Sequence, residues 1–146
     1  MLLGTYQVKV ASGRRVFIPA PLRQDLGEKY ILAKWYEECL VLVALDSWVA
    51  LYKRLVGDQK IIVSQIRDTE RFILGSAYNT LPDDQGRIVI PEILVSFAKL
   101  SDEISFIGLG DRVEIWDSKI WEEKQKTLAK EAFEIIERLA STKTSK

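Results

Sequence analysis

Histidine is missing altogether from the 146 residues, and cysteine occurs once, at Cys39. The first absence removes the commonest general base, the familiar catalytic triads and the usual zinc-ligand sets. The second forbids an internal disulfide. Cys39 opens the apolar run Cys39-Leu40-Val41-Leu42-Val43, which marks it as a small core residue rather than a nucleophile. Net charge is lacking too. Twenty-one basic residues balance 21 acidic ones, so nucleic acid would have to be met by a local patch and not by a global field. No apolar run approaches the ~20 residues needed to span a bilayer. The opening Met1-Leu2-Leu3-Gly4-Thr5 lacks a basic stretch followed by a long apolar one, so no secretory signal is expected. With 47% hydrophobic and 29% charged residues, the composition is that of a soluble globular chain, and the expected setting is reduced and cytoplasmic.

What the chain does contain is an internal duplication. Gly13-Arg14-Arg15-Val16-Phe17-Ile18-Pro19-Ala20-Pro21-Leu22-Arg23 is echoed by Gln85-Gly86-Arg87-Ile88-Val89-Ile90-Pro91-Glu92-Ile93-Leu94-Val95. Arg15 and Arg87, Pro19 and Pro91, Leu22 and Leu94, and Tyr6 and Tyr78 all stand 72 residues apart. Leu40, Leu42 and Trp48 correspond to Val113, Ile115 and Trp121 at a spacing of 73, which implies a one-residue difference in a loop. An ordered series of matches is the mark of duplication.

Each copy predicts the same elements. Val16-Phe17-Ile18 and Ile88-Val89-Ile90 are short strands, and the following prolines open helices. The first helix ends at Gly27 and the second runs from 92 to 100. Strands are expected over 30–35 and 40–45, and again over 103–109 and 113–116, with turns at Glu37-Glu38 and Gly110-Asp111. The glycines of Gly108-x-Gly110 are explained by that turn and not by a phosphate loop. Helices are expected over 47–55 and 61–74, broken at Gly57-Asp58. Asp117 or Ser118 would cap a final helix carrying the stripe Leu128, Ala132, Ile135, Leu139, ahead of a frayed polar tail from Ser141. The expected organisation is a first repeat over 1–52, a helical connection over 53–75, a second repeat over 76–122 and a C-terminal helix and tail over 123–146. The tryptophans Trp35, Trp48, Trp116 and Trp121 are read as packing residues rather than base-stacking ones.

The run Asp83-Asp84-Gln85-Gly86-Arg87-Ile88-Val89-Ile90-Pro91 resembles the signature of the MraZ family, which belongs to the AbrB-like DNA-binding folds. Leu2-Leu3-Gly4-Thr5-Tyr6 and Val113-Glu114-Ile115-Trp116-Asp117 resemble it as well, and the likeness extends over roughly residues 1 to 125. It implies an α+β fold. Two tandem AbrB-like half-domains of swapped-hairpin type would form one pseudo-twofold, β-rich unit with short helices and a long C-terminal helix. It also implies a nucleoid-associated repressor that binds short direct repeats in double-stranded promoter DNA ahead of the division and cell-wall genes. Protomers would assemble as a homo-oligomer in a closed ring. No catalysis, cofactor, metal, membrane or small-molecule substrate is implied.

Copy one departs from the signature, with Ala11 at the acidic position and Arg14 at the glycine position; copy two has Val95 where copy one has Arg23. Lys9, Arg14, Arg15 and Arg23 all precede the first acid, Asp25, and form a local basic cluster suited to phosphate, with Arg14 or Arg15 able to read guanine. The alternative is a solvated loop with an arginine that braces the fold. Arg87 completes the candidate DNA-binding set, although Asp83 is placed to hold it in an ion pair and give it a structural role. These charges make copy one the expected DNA-facing half. Two other readings stay open: a different AbrB-like regulator or nucleoid-associated protein, and an interaction protein that does not bind DNA and acts through its apolar helix.

Overall fold

The computed structural model describes residues 1–57 and 63–144, with side chains as far as residue 142. Among the described residues, eight strands and five α-helices follow one another. They are β1 (Leu2–Lys9), β2 (Arg15–Phe17), α1 (Ala20–Leu26), β3 (Tyr30–Lys34), β4 (Leu40–Ala44), α2 (Leu45–Val56), α3 (Ser64–Ile73), β5 (Tyr78–Thr80), β6 (Arg87–Val89), α4 (Glu92–Phe97), β7 (Glu103–Gly110), β8 (Val113–Asp117) and α5 (Ser118–Thr144). Six strands form an antiparallel sheet in the order β1-β7-β8-β4-β3-β5, and β2 pairs separately with β6. The order reads the same from either end once copies are exchanged. Each copy's first strand borders the other copy's hairpin, β1 on β7 and β5 on β3. This is the α+β, interleaved pseudo-twofold unit that the resemblance implied.

Side-chain alternation sends two sets of residues to opposite faces of the sheet. Leu32, Leu40, Leu42, Ile104, Phe106, Val113 and Ile115 join Val16, Ile18, Leu22, Ile88, Ile90 and Leu94, so the β2–β6 ribbon, α1 and α4 cover one face. Ile31, Ala33, Val41, Val43, Ile107 and Trp116 face the other way, against Trp48 and Leu51 of α2 and Ile73 of α3, with Ile120 and Trp121 of α5 beside them. Trp35, Trp48 and Trp116 are buried, as the packing reading required. Cys39 is fully buried, and its burial pushes the thiol above its ordinary value.

Pro19 and Pro91 sit at the N-caps of α1 and α4 with φ of −52° and −56°, one position before the first helical residue. Asp117 is the cap of α5: Oδ2 accepts from the Ile120 N–H at 3.3 Å. Burial raises its carboxyl, but hydrogen bonds from Ser101 and Ile120 outweigh that and hold it below the ordinary carboxylate value. The expected break at Gly57-Asp58 is seen at Gly57, which ends α2. Asp58 and residues 61–62 lie outside the described residues.

Two sequence expectations change. The strands β1 and β5 were not foreseen, because an edge strand with few buried positions carries little alternation. The polar stretch from Ser141 does not fray but continues α5 to Thr144; residues 145–146 of the expected tail lie outside the described residues. No helix among the described residues is long and apolar enough to cross a membrane.

Gly108 shows how β1 is seated. It pairs with Gly4 in the β1–β7 register, and a Cβ built on it would lie 2.6 Å from the Leu3 backbone nitrogen. Gly108→Ala is therefore expected to push β1 off β7 and destabilise the fold by roughly 1–3 kcal/mol, measured by denaturant unfolding. Unchanged stability would show that β1 does not hold this register.

Candidate nucleic-acid interface

The β2–β6 ribbon is where the two signature segments meet. Arg15 lies opposite Val89, Val16 opposite Ile88, and Phe17 opposite Arg87. Val16 and Ile88 point inward and are fully buried, which forces Arg15, Phe17, Arg87 and Val89 to the outer face. Phe17 and Val89 are 47% and 48% exposed, so nothing among the described residues covers them. Arg15 and Arg87 are diagonal neighbours on it, a separation of about 7–8 Å in such a ladder.

The two arginines are held differently. In copy two, Asp83 closes the turn before β6. Its Oδ1 accepts from the N–H groups of Gln85 and Arg87, each at 2.9 Å, and its Oδ2 accepts from Arg87 Nε at 2.9 Å. The Arg87 backbone N–H is the leading cause that holds the Asp83 carboxyl below its ordinary value, with Gln85 and the Arg87 side chain adding to it. The predicted ion pair is therefore present. The Arg87 guanidinium also lies 5.9 Å from the centre of the Phe17 ring, across the pseudo-twofold. In copy one, Ala11 keeps only the backbone part of the turn, donating to the Arg15 carbonyl at 2.8 Å, as Asp83 N–H does to Arg87. Arg15 Nη1 reaches the Ser12 carbonyl at a long 3.4 Å. One fork is clamped and the other is loosely tethered.

Arg14 and Arg23 form a second related pair. Arg23 Nε donates to the Ile18 carbonyl at 3.0 Å, and a Cβ on Gly86 would come within 3.1 Å of Arg23 Nη1. Arg14 Nε donates to the Ile90 carbonyl at 2.9 Å, and the Ile90 N–H donates to the Arg14 carbonyl at 3.0 Å. Ile18 and Ile90 are equivalent positions, so each carbonyl leaving the ribbon receives a guanidinium. Copy one supplies both. Val95 cannot do for Ile90 what Arg23 does for Ile18, and Arg14 reaches across from the glycine position instead. Arg14 pays for this with a left-handed backbone, φ 58°, where Gly86 has φ 80°. Lys9 is exposed at the end of β1, just before the loop into β2.

All five sequence-predicted residues thus belong to the ribbon or its approaches. The paired strands put Arg15 of copy one and Arg87 of copy two on one face, with Arg87 held by Asp83 as the ion-pair reading expected. Sequence reasoning missed Phe17 and Val89 as partners on that face; the signal was their alternation with Val16 and Ile88. The outer face offers two guanidiniums, each able to take a phosphate or a guanine edge, on a ribbon narrow enough for a major groove.

Comparison with known proteins gives one consistent answer. The family model for MraZ protein matches residues 1–62 and 73–142. A protein named Transcriptional regulator MraZ from Caldanaerobacter subterraneus subsp. tengcongensis is 39% identical over 139 residues, covering 95% of this chain and 96% of its own. Proteins of the same name from a Thermoanaerobacter species and from Cutibacterium acnes are 38% and 34% identical, over 84% and 91% of this chain and 85% and 92% of theirs.

Two predictions follow from the arginine arrangement. Asp83 has a lowered folded-state pKa, so its contribution to stability is present above the ordinary carboxylate pKa and is lost as pH falls through the folded value. The stability difference between the natural chain and Asp83→Asn should be widest at neutral pH and shrink below the ordinary value of 3.8, measured by unfolding across a pH series. A gap that stays constant into acid would rule out this role. Arg14→Ala should cost about 1 kcal/mol through loss of the Ile90 hydrogen bond. Arg14→Gly should cost less, because glycine accepts the left-handed backbone. The reverse ranking would show that the backbone at position 14 is not strained.

Proposed function

The chain belongs to the MraZ family, and we propose that it is a sequence-specific DNA-binding transcriptional regulator that represses the promoter of the division and cell-wall gene cluster. The observation that carries the proposal is the exposed outer face of the β2–β6 ribbon, with Arg15 and Arg87 as diagonal neighbours on it. Its relatives are named transcriptional regulators, which supports the reading.

In this reading the ribbon enters the major groove of a short direct repeat. Arg87, pre-set by Asp83, offers its remaining N–H groups in a fixed direction, as a base edge requires. Arg15, more loosely held, adapts to a phosphate or a second base. Lys9 and the terminal nitrogens of Arg14 and Arg23 supply phosphate contacts on either side. Asp83 and Asp84 repel phosphate close to Arg87 and so disfavour indiscriminate backbone binding there. A single ribbon is a small contact. Several protomers in a closed ring would meet successive repeats together, each bound contact raising the effective concentration of the next. The protein would work in the cytoplasm at the nucleoid, with no cofactor, and not as an enzyme.

Binding isotherms against the promoter of its own gene, with scrambled repeats as control, test the proposal at several salt concentrations. Lys9→Ala should weaken natural and scrambled DNA alike and reduce the salt slope by about one unit. Arg15→Ala and Arg87→Ala should each cost about 1–3 kcal/mol on the natural repeats and relax discrimination against the scrambled ones. If both arginine variants fold and bind the repeats as the natural chain does, the ribbon is not the interface.

A further inference from the structure

The first turns of α5 are tied to the body of the fold. Asp117 caps the helix, Ile120 and Trp121 pack beside the sheet, and Lys124 pairs with Glu37. Beyond that point the helix runs on within its 27 residues, a total of about 40 Å, with Ala132 and Ile135 half-buried and its other large apolar side chains exposed among the described residues. Leu128 is 38% exposed, Phe133 81%, Ile136 63% and Leu139 62%. Leu128, Ala132, Ile135 and Leu139 follow the alternating four-and-three spacing of a coiled-coil seam. Ala129 and Ile136 widen that seam on one flank. Glu131 and Arg138, both exposed, border it on the other.

We propose that this segment of α5 binds the same segment of a second copy, antiparallel, about a twofold axis between residues 133 and 134. Self-pairing in this register satisfies three conditions at once. The seam forms four layers, Leu128 against Leu139 and Ala132 against Ile135, each occurring twice. The small Ala132 faces the bulkier Ile135, which lets the helices approach. On one flank Ala129 meets Ile136. On the other flank Glu131 meets Arg138 of the second copy, and Arg138 meets its Glu131, so both symmetric charge pairs attract. A parallel pair would instead set Glu131 beside Ile136 and leave the charges without partners. The contact is isologous and joins protomers two by two, whereas a head-to-tail ring needs a heterologous contact. The inference therefore stands apart from the ring reading and from DNA binding.

The test uses the full chain in two separately prepared variants, Leu128→Cys and Leu139→Cys. The natural Cys39 is fully buried and stays out of the reaction. The variants are mixed in reductant, equilibrated and oxidised. The mixed 128–139 disulfide dimer should form about tenfold faster than either variant links to itself, since only the mixed pair lies within disulfide reach. Faster self-linking would mean parallel pairing and would overturn the proposal. Absence of both links would place α5 against the body of a neighbouring protomer or against another protein, and would also overturn it. Charge reversal gives an independent reading in the same cysteine variants, with thermal melting to verify folding. Glu131→Arg or Arg138→Glu alone should slow the mixed link about tenfold by creating two repulsive pairs. The double exchange should restore the rate to within about threefold. A double exchange no faster than the single ones would refute the antiparallel register.

Discussion

Val16 lies opposite Ile88, and both side chains are sealed from water. That one contact joins the two signature segments, and much of the rest depends on it. A three-residue strand cannot stand alone, so β2 exists only because β6 pairs with it, and the pair exists only because its inner side packs on the sheet. Burial of the inner residues fixes the outward direction of Arg15, Phe17, Arg87 and Val89. The same pairing brings the Arg14 fork to Ile90. A register slip of one residue would turn the arginines into the core and the two β-branched side chains into water.

The sheet obeys the same constraint on a larger scale. Each copy alone would leave its hairpin edge with unpaired N–H and C=O groups. Exchange of first strands removes those edges, with β1 completing β7 and β5 completing β3, while β4 and β8 join the halves at the centre. The fold is therefore cooperative across the duplication. A copy without its counterpart would lose its edge strand, its ribbon partner and part of its core together.

Within this frame the divergence of the copies becomes intelligible. The acid at position 83 and the alanine at position 11 give two ways of closing the same turn, one by side chain and backbone and the other by backbone alone. The arginine at position 23 and the valine at position 95 look like a loss in copy two. Arg14 makes that loss good from the other side of the pseudo-twofold, capping Ile90 as Arg23 caps Ile18. Asymmetry in sequence thus preserves symmetry in hydrogen bonding. The outer face inherits the remainder: one arginine clamped by a carboxylate and one loosely tethered.

The sequence by itself determined the duplication, the order of most elements and the inward and outward positions of the central strands, because each of these is a local or periodic property. Pro19, Gly27, Gly57 and Pro91 marked the junctions through backbone geometry alone. Asp83 and Arg87 were close enough in the chain for their ion pair to be read directly. What the tertiary structure decided was everything that rests on pairing between distant segments. β1 and β5 became strands because the other copy's hairpin offered an edge, a fact that no alternation within either segment carries. Asp117 rather than Ser118 became the cap of α5 because Ser101, 16 residues away, donates to the same carboxylate. Arg14 proved to brace Ile90 across 76 residues, and Arg15 and Arg87 proved to share one surface. Neither relation could be read from charge spacing, because the distance that matters to a hydrogen bond is set by the fold and not by the chain.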